Sequence, residues 1–190
     1  MAVLFARIPE DRVGVLIGPG GSTKRQVEVR TATHLEIDAE EGAVDIVSPD
    51  SADPDGAMRA RDIVVAIGRG FSPARAYRLL APETYLGLVD IKRVTGKKNK
   101  AALWRVRSRL IGEHGRARER IEELSGCSMS VYGASVALIG KEDQLARATR
   151  AVELLLRGSE HSVVFHQLAR ARDDAARREA TESDDDVAAE

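Results

Sequence analysis

The stretch LIGPGGSTKR, residues 16–25, places glycines before hydroxyl and basic side chains, a combination typical of a backbone that lies close to phosphate. A Walker A loop would need its lysine before the hydroxyl, whereas Lys24 follows Ser22 and Thr23. A dinucleotide-binding loop would need a third glycine where Thr23 stands. Neither nucleotide motif is complete, so a nucleotide-binding enzyme remains only an alternative, beside a glycine turn that binds nothing.

The same stretch has a second copy 94 residues further along the chain. Residues 15–37, VLIGPGGSTKRQVEVRTATHLEI, align with residues 109–131, RLIGEHGRARERIEELSGCSMSV. Leu-Ile-Gly and a later glycine recur in both copies, so the shared pattern is Gly-x-x-Gly. Each copy then has a helical pattern, two alternating strands joined by a glycine turn, and an amphipathic helix. The predicted helices span Ser22–Thr31, Asp55–Ile67, Arg116–Leu124 and Glu142–Leu156.

The near-neutral net charge conceals an uneven distribution along the 190 residues. The formal charge is −1, from 29 Lys+Arg and 30 Asp+Glu. Residues 91–158 carry 15 basic and 7 acidic side chains, a net of +8, whereas residues 1–90 carry 10 and 14, and residues 159–190 carry 4 and 9. Such a basic segment attracts polyanions and gains from counterion release. The second copy is therefore predicted to be the main polyanion-binding part.

Composition argues against several other classes of protein. The 43% hydrophobic and 31% charged content is typical of a soluble globular chain. Cys127, the single cysteine, cannot form an intramolecular disulfide and indicates a reducing, cytoplasmic setting, where a buried thiol is expected. No apolar run is long enough for a membrane span, and the N-terminus lacks a signal-peptide pattern. With four scattered histidines and no catalytic constellation, we predict no metal, no cofactor and no enzymatic activity.

The order strand, helix, Gly-x-x-Gly, helix, strand, strand, helix resembles the KH domain of type I, and the resemblance covers residues 3 to about 158. It implies an α+β fold of two tandem KH domains, each with a three-stranded antiparallel sheet and three helices. We expect these domains at residues 1–80 and 85–158. The S1–KH subunits of the RNA exosome are a poorer match, because the residues before the first turn leave no room for an S1 barrel.

Residues 159–190 are expected to form a C-terminal helix and an acidic tail. The apolar side chains at the start of this helix should pack on the second domain: Val164, Phe165, Leu168 and Ala169. Asp173 and Asp174 stand four residues before Arg177 and Arg178, a spacing that supports a helix. The acidic end, residues 184–190, is predicted to be disordered.

The second copy also resembles a narrower family on three segments. These are RSRLIGEHGRARERIEEL, GCSMSVYGASVALIG and AVELLLRGSEHSVV, which are similar to the archaeal KH-domain proteins of the Partner-of-Nob ribosome-assembly family. Ala134 departs from the family pattern, in which a lysine follows the hairpin glycine. The resemblance implies a single-stranded RNA-binding adaptor that acts near the 3′ end of small-subunit rRNA during its maturation. It also implies two partners, the rRNA 3′-end endonuclease and the alpha subunit of initiation factor two; a KH regulator of mRNA or translation is the same-fold alternative.

In a KH domain the glycine turn lets an RNA backbone approach two helix ends, and the adjacent groove holds about four nucleotides. The following helix presents free N–H groups and its positive dipole end to a phosphate. The apolar floor of the groove is expected to come from Leu110, Ile111, Met129 and Val131. The predicted RNA-binding residues of both copies are Gly18, Pro19, Gly20, Gly21, Lys24, Arg25, Arg105, Arg107, Arg109, Ile111, Gly112, Glu113, His114, Gly115, Arg116 and Arg118.

The two turns are predicted to contribute unequally to RNA affinity. Pro19 removes one backbone donor from the first turn. In the second turn Glu113 would repel phosphate unless it pairs with Arg116 or Arg118, and the charge of His114 depends on pH. Further basic side chains lie on and before the helix that leads into the second turn: Lys97, Lys98, Lys100, Arg105, Arg107 and Arg109. The second domain should supply most of the affinity, while the first adds modest RNA contact or docks a protein.

Four ring-bearing side chains have more than one interpretation. Trp104 could stack on a base, although its place among helical apolar positions favours packing. Tyr132 lies at a hairpin turn, where RNA contact and packing are equally compatible with the pattern. His161 and His166 have no carboxylate-rich cluster nearby, so helix-end or surface positions are favoured over metal ligation.

Overall fold

The computed structural model describes residues 2–49, 54–96 and 99–187, which form two copies of one α+β unit followed by a long helix. Lys97 and Lys98, predicted as part of the basic approach to the second turn, lie outside the described residues. Each of the four predicted helices is present, with both ends within one residue of the predicted bounds.

The first unit contains three strands and three helices around one core. Its elements are β1 (Ala2–Arg7), α1 (Glu10–Ile17), α2 (Ser22–Thr31), β2 (His34–Ile37), β3 (Ala43–Ser48) and α3 (Pro54–Gly68). Strand β3 pairs antiparallel with both neighbours, so the order across the sheet is β1–β3–β2. Val44 and Ile46 are fully buried while Asp45 between them is exposed. One face of the sheet therefore packs on the helices and the other faces outward.

The second unit repeats this arrangement with one addition. A connecting segment contains α4 (Pro73–Ala76) and a 3₁₀ turn (Tyr77–Leu80). The unit itself contains β4 (Tyr85–Asp90), α5 (Ile91–Thr95), α6 (Lys100–Ile111), α7 (Arg116–Ser125), β5 (Ser128–Tyr132), β6 (Ser135–Gly140) and α8 (Glu142–Arg157). The strand order β4–β6–β5 is antiparallel and equivalent to that of the first unit. The sequence pattern did not predict α5, which begins where the Asp90 carboxylate accepts hydrogen bonds from the Lys92 and Arg93 backbone amides at 2.7 and 3.1 Å.

The last helix, α9 (His161–Val187), packs against α7 and α8. Val164 and Leu168 are buried in the core of the second unit, and Phe165 and Ala169 pack against it, which confirms the predicted packing. The helix includes residues 184–187, in contrast to the predicted disorder of that segment, and residues 188–190 lie outside the described range. Ion pairing of Arg177 with Asp174 at 3.9 Å supports the helix a short distance before this point.

The sheet of the second unit is covered on both faces. Val136 and Leu138 of β6 belong to the core that this unit forms with its own helices. The alternating Ala137 and Ile139 belong instead to the core of the first unit, against which the connecting 3₁₀ turn also packs. The Ser130 hydroxyl donates a hydrogen bond to the Arg69 carbonyl at 2.9 Å, across the same junction. The two units are therefore joined by a buried interface.

Tyr132 belongs to this junction, which favours the structural interpretation of that residue. Its hydroxyl donates a hydrogen bond to the carboxylate of Asp11 in α1, and this bond raises the pKa of Tyr132. The guanidinium of Arg12 lies 5.8 Å from the centre of the Tyr132 ring. Two further contacts cross the junction, Arg75 to Glu122 and Arg78 to the Ser128 hydroxyl.

Candidate nucleic-acid interface

The second Gly-x-x-Gly turn joins α6 to α7 in a conformation that depends on glycine. Gly112 follows the last residue of α6 with φ 74° and ψ 175°, a region that essentially only glycine occupies. His114 and Gly115 are left-handed, at φ 52° and φ 81°, and α7 begins immediately afterwards. The turn therefore brings the end of one helix and the start of another together at one exposed backbone segment.

The first turn has nearly the same backbone geometry. Gly18 has φ 72° and ψ 172°, and Gly20 and Gly21 have φ 57° and 76°. The alignment of the two sequence copies thus corresponds to two equivalent turns, each between two helices.

The first glycine of each turn is required by packing within the protein. A Cβ atom on Gly112 would lie 2.6 Å from the Cβ of Ala117, and one on Gly18 would lie 2.3 Å from the Thr23 hydroxyl oxygen. Both distances are far below normal contact, because the turn lies directly on the following helix.

The last glycine of each turn has free space around it instead. No described atom lies within 4 Å of a Cβ placed on Gly21, and around Gly115 only the tips of Arg118 and Glu119 come within that distance, at 3.7 and 3.8 Å. This surface is accessible to the backbone of a ligand, which is the role expected of a glycine in a phosphate-approaching turn.

The helix that follows the second turn offers free donors. Within the described part of the chain, the N-terminus of α7 at Gly115 carries no side-chain cap. The Arg116 N–H bonds to the Glu113 carbonyl within the turn, and the next backbone N–H groups of the helix face the open turn, together with the positive end of the helix dipole. Arg116, the first residue of α7, is exposed and makes no ion pair with another described residue.

The other predicted cations of the second unit differ in whether they already bind another part of the protein. Arg105 is exposed, and the Nε atom of Arg107 is buried without a hydrogen-bond partner among the described atoms. Arg118 pairs with Glu119 and Glu122 at 3.8 and 4.0 Å.

Arg109 has a structural role that the sequence prediction missed. Its guanidinium donates to the Gly158 carbonyl at 3.1 Å and to the Ser159 carbonyl, and its own carbonyl contacts His161 Nε2 at 2.9 Å. Arg109 therefore holds the link between α8 and α9.

The acid in the second turn contacts its histidine neighbour. Glu113 lies 3.7 Å from His114, and the two side chains are 83% and 79% exposed. The alternative in which Glu113 pairs with Arg116 or Arg118 is not the one observed, because Arg118 pairs with acids of α7 itself.

At the first turn both basic side chains are engaged within their own helix and turn. Lys24 lies 3.8 Å from Glu28, and Arg25 donates a hydrogen bond to the Gly20 carbonyl at 2.8 Å. Pro19 is exposed at the tip. The two turns therefore share a backbone and differ in the cations that they leave free.

The predicted groove floor is only partly correct. Leu110 and Met129 are fully buried in the core of the second unit, whereas Ile111 and Val131 are half-buried. Only the latter two have surface that a base could contact. Met129 and Val131 lie two residues apart on β5 and share one face of the sheet, with Val131 only partly buried against the core.

Two aromatic features near the second turn differ from the favoured expectations. Trp104 of α6 is 67% exposed, so the favoured packing interpretation is wrong. On the other side of the turn, His161 and Phe165 of α9 line a cleft of about 430 Å³ with Gly112 and Arg116. The position of α9 depends on tertiary packing, so the only sequence signal for this cleft was an apolar stretch soon after α8.

Among the described residues, no helix combines the length and apolar character needed to cross a bilayer. Within that same part of the chain, no group of three His, Cys, Asp or Glu side chains is arranged to hold a metal ion. Cys127 is buried, and this burial raises the pKa of its thiol to about 11.

Each Gly-x-x-Gly turn lies between two helices, beside a three-stranded antiparallel sheet whose last strand in sequence is central. Two such units in a row define a tandem KH-domain protein of type I. A family model for the second KH domain of PNO1 proteins, described as a eukaryotic-type KH domain of type I, matches residues 85–173. The general KH-domain model matches residues 4–65.

Relatives narrow this class to a family. A KH domain-containing protein of Methanocaldococcus jannaschii is 42% identical over 172 residues, which cover 90% of this chain and 74% of that protein. The crystal structure of Dim2p from Pyrococcus horikoshii has a TM-score of 0.84 at 47% identity, covering 90% of this chain and 99% of that one. The chain belongs to the archaeal Dim2p/PNO1-like family of KH-domain proteins.

Two further structures resemble the chain along almost its whole length. A Pyrococcus horikoshii structure described as an a/eIF2alpha–aDim2p–rRNA complex has a TM-score of 0.86 at 47% identity, covering 91% of this chain and 95% of that one. A protein of unknown function from Aeropyrum pernix has a TM-score of 0.92 at 34% identity and covers 96% of both chains.

Proposed function

We propose that the chain is a non-enzymatic adaptor that binds single-stranded RNA, chiefly small-subunit rRNA near its 3′ end, during ribosome assembly in the cytoplasm. The observation that carries this proposal is the second turn. There, within the described part of the chain, an open glycine, a helix N-terminus without a side-chain cap and Arg116 without an ion-pair partner converge on one exposed surface. That combination suits a phosphate of an RNA backbone, and KH domains bind RNA through this loop.

The family relationship supports the choice of RNA and of partners. The Pyrococcus complex contains a Dim2p relative together with rRNA and a/eIF2alpha. By analogy, the partners proposed for this chain are small-subunit rRNA, the alpha subunit of initiation factor two, and the endonuclease that matures the rRNA 3′ end.

The two units are proposed to contribute unequally to RNA binding. The units extend over residues 1–80 and 85–158, and the start of α9 completes the core of the second. The second supplies most of the RNA affinity, because the first turn leaves neither Lys24 nor Arg25 free. The first adds modest RNA contact or docks a protein partner.

The proposal is tested with the full chain and a single-stranded RNA that carries the 3′-terminal sequence of small-subunit rRNA. With about four phosphates neutralised, log K should fall against log salt with a slope near −3. Arg116→Ala should weaken binding several-fold and reduce the magnitude of this slope by about 0.7. Arg170→Ala removes an exposed arginine of α9 and is the charge-matched control.

A salt-independent affinity, or an Arg116→Ala protein that binds RNA like the wild type, would contradict the proposal. Crosslinking of the protein to cellular RNA separates the adaptor from a general regulator. Sites clustered at the 3′ end of small-subunit rRNA support ribosome assembly, whereas sites spread over messenger RNAs support regulation of translation.

A further inference from the structure

One side of α6 leads directly to the second turn. Lys100, Trp104, Arg107 and Ile111 are spaced by four, three and four residues, so they share one side of the helix. Ile111, the half-buried residue expected in the groove floor, lies on this side, so this side faces the groove. With a rise of about 1.5 Å per residue, Trp104 lies roughly 12 Å along the helix from Gly112.

The exposure of Trp104 has no explanation in the packing of the unit. Its indole is 67% exposed, while Val106 and Leu110 of the same helix are buried and supply the core contacts. An exposed tryptophan offers a large flat surface on which an unpaired base of any sequence can stack.

The basic side chains around Trp104 favour RNA as the ligand that covers its indole ring. Helix α6 contains no acidic residue and four basic ones. Of these, Lys100 and Arg105 are exposed, and neither forms an ion pair within the described part of the chain. The buried Nε of Arg107 lacks a hydrogen-bond partner there. Cations beside an aromatic platform are the combination that tracks a single strand, with phosphates on the cations and bases on the ring.

We propose that Trp104 is a base-stacking subsite that extends the RNA path beyond the four-nucleotide groove, with Lys100 and Arg107 on the same side of α6 binding the adjoining phosphates. The ligand is an unpaired nucleotide that continues the strand held at Gly112–Gly115. This inference rests on the proposed RNA-binding function and adds a separate, length-dependent contact to it.

The single tryptophan makes the subsite directly observable, because intrinsic indole fluorescence reports on Trp104 alone. The full chain is titrated with RNA of four nucleotides, which fills the groove, and of about eight, extended at the 5′ or the 3′ end. Affinity is measured independently by anisotropy of labelled RNA. We expect one of the two extended RNAs to quench the indole and the short RNA to leave it unchanged.

Variants then separate stacking from a general loss of binding. Trp104→Ala should weaken the extended RNA roughly tenfold and leave the four-nucleotide RNA unaffected, while Trp104→Phe should retain most of the affinity. Met58→Ala, which truncates a 61% exposed side chain on α3, is the matched control and should change neither affinity. Because Trp104 is exposed, the variants should keep the thermal stability of the wild type.

The outcomes distinguish this subsite from the proposed function. If both RNA lengths bind while the indole fluorescence stays constant, the subsite is wrong, RNA binding stands, and a protein partner is left as the molecule that covers Trp104. If Trp104→Ala weakens both RNA lengths equally, the subsite is also wrong and RNA binding stands. If neither RNA binds, the proposed function fails and the subsite fails with it.

Discussion

The two Gly-x-x-Gly turns have the same backbone and different surroundings. Gly18 and Gly112 have almost identical dihedral angles and lie equally close to the following helix. At the first turn Arg25 contacts the turn itself, whereas at the second Arg116 has no ion-pair partner among the described residues. We propose that the repeated backbone lets both turns approach a phosphate and that the free cation gives the second turn the larger share of the affinity.

The two sheets differ in a similar way. Both have the same strand order, yet the outward face of the second packs on the first unit and its connecting segment, with Ala137 and Ile139 fully buried. The outward face of the first exposes Val3 and Phe5, at 53% and 59%. In β3, the strand equivalent to β6, the matching residues Asp45 and Val47 are exposed and half-buried, because the connecting 3₁₀ turn lies against β6.

The largest expected loss of stability distinguishes the covered face of the second sheet from the open face of the first. Leu79, in the connecting 3₁₀ turn, is 2% exposed, so Leu79→Ala should lower the free energy of unfolding by about 2–5 kcal/mol through lost contacts and a cavity. Phe5→Ala should change it by less than about 0.5 kcal/mol, because Phe5 stands on the open face. Urea unfolding of both variants measures the difference, and equal losses would show that the two faces are not distinct.

The next largest loss of stability distinguishes the first and last glycines of the second turn. Gly112→Ala should cost about 3 kcal/mol, from the forbidden backbone region and the close approach to Ala117. Gly115→Ala should cost only about 1 kcal/mol, since its Cβ meets open space, and should mainly weaken RNA binding.

Gly18→Ala and Gly21→Ala repeat this experiment in the first turn. Denaturant unfolding should give the same order of losses as in the second turn. RNA affinity measured on Gly21→Ala should change less than on Gly115→Ala. A similar loss of affinity for both variants would contradict the unequal roles of the two copies.

The smallest effect concerns one matched pair of buried positions. Cys127 in the second unit corresponds to Thr33 in the first, whose hydroxyl lies 2.8 Å from that of Thr31. Burial raises the pKa of the Cys127 thiol from 9.0 to about 11. The folded state therefore disfavours the thiolate, and stability that is complete below pH 9 should decline as the pH rises from 9 to 11.

Cys127→Thr should make that decline shallower while changing stability near pH 7 by less than about 1 kcal/mol. Unfolding measured at pH 7, 9 and 11 on both proteins isolates the contribution of the thiol. In the wild type, labelling of Cys127 at pH 8 should follow global unfolding, since the folded protein buries the thiol. Rapid labelling of the folded protein, or parallel pH profiles, would show that the thiol is accessible.

Much of the fold followed from local pattern. The bounds of α2 were predicted to the residue, because the repeat aligns this segment with the second copy's helix, between a glycine turn and an alternating strand. The position of both turns followed from the repeat itself. In contrast, α5 was not predicted, because five residues are too few to show a periodic pattern.

Prediction of the candidate site was less complete, for physical reasons that differ between residues. Trp104 was expected to pack because its spacing is helical, but spacing alone does not say which side of a helix meets the core. Arg109 was counted among the RNA ligands, although it holds the carbonyls that link α8 to α9. Its partners are 49 and 50 residues away, and no local pattern reveals contacts at that distance.

The amino-acid sequence by itself determined the two repeated units, the glycine turns and the basic character of the second unit, because periodicity, backbone freedom and charge are local properties. The tertiary structure alone decided which cations are free, which sheet face is covered and that Trp104 is exposed. Those properties depend on which distant side chains compete for the same space or the same partner. Packing brings Ile139 against the first unit and leaves Phe5 exposed.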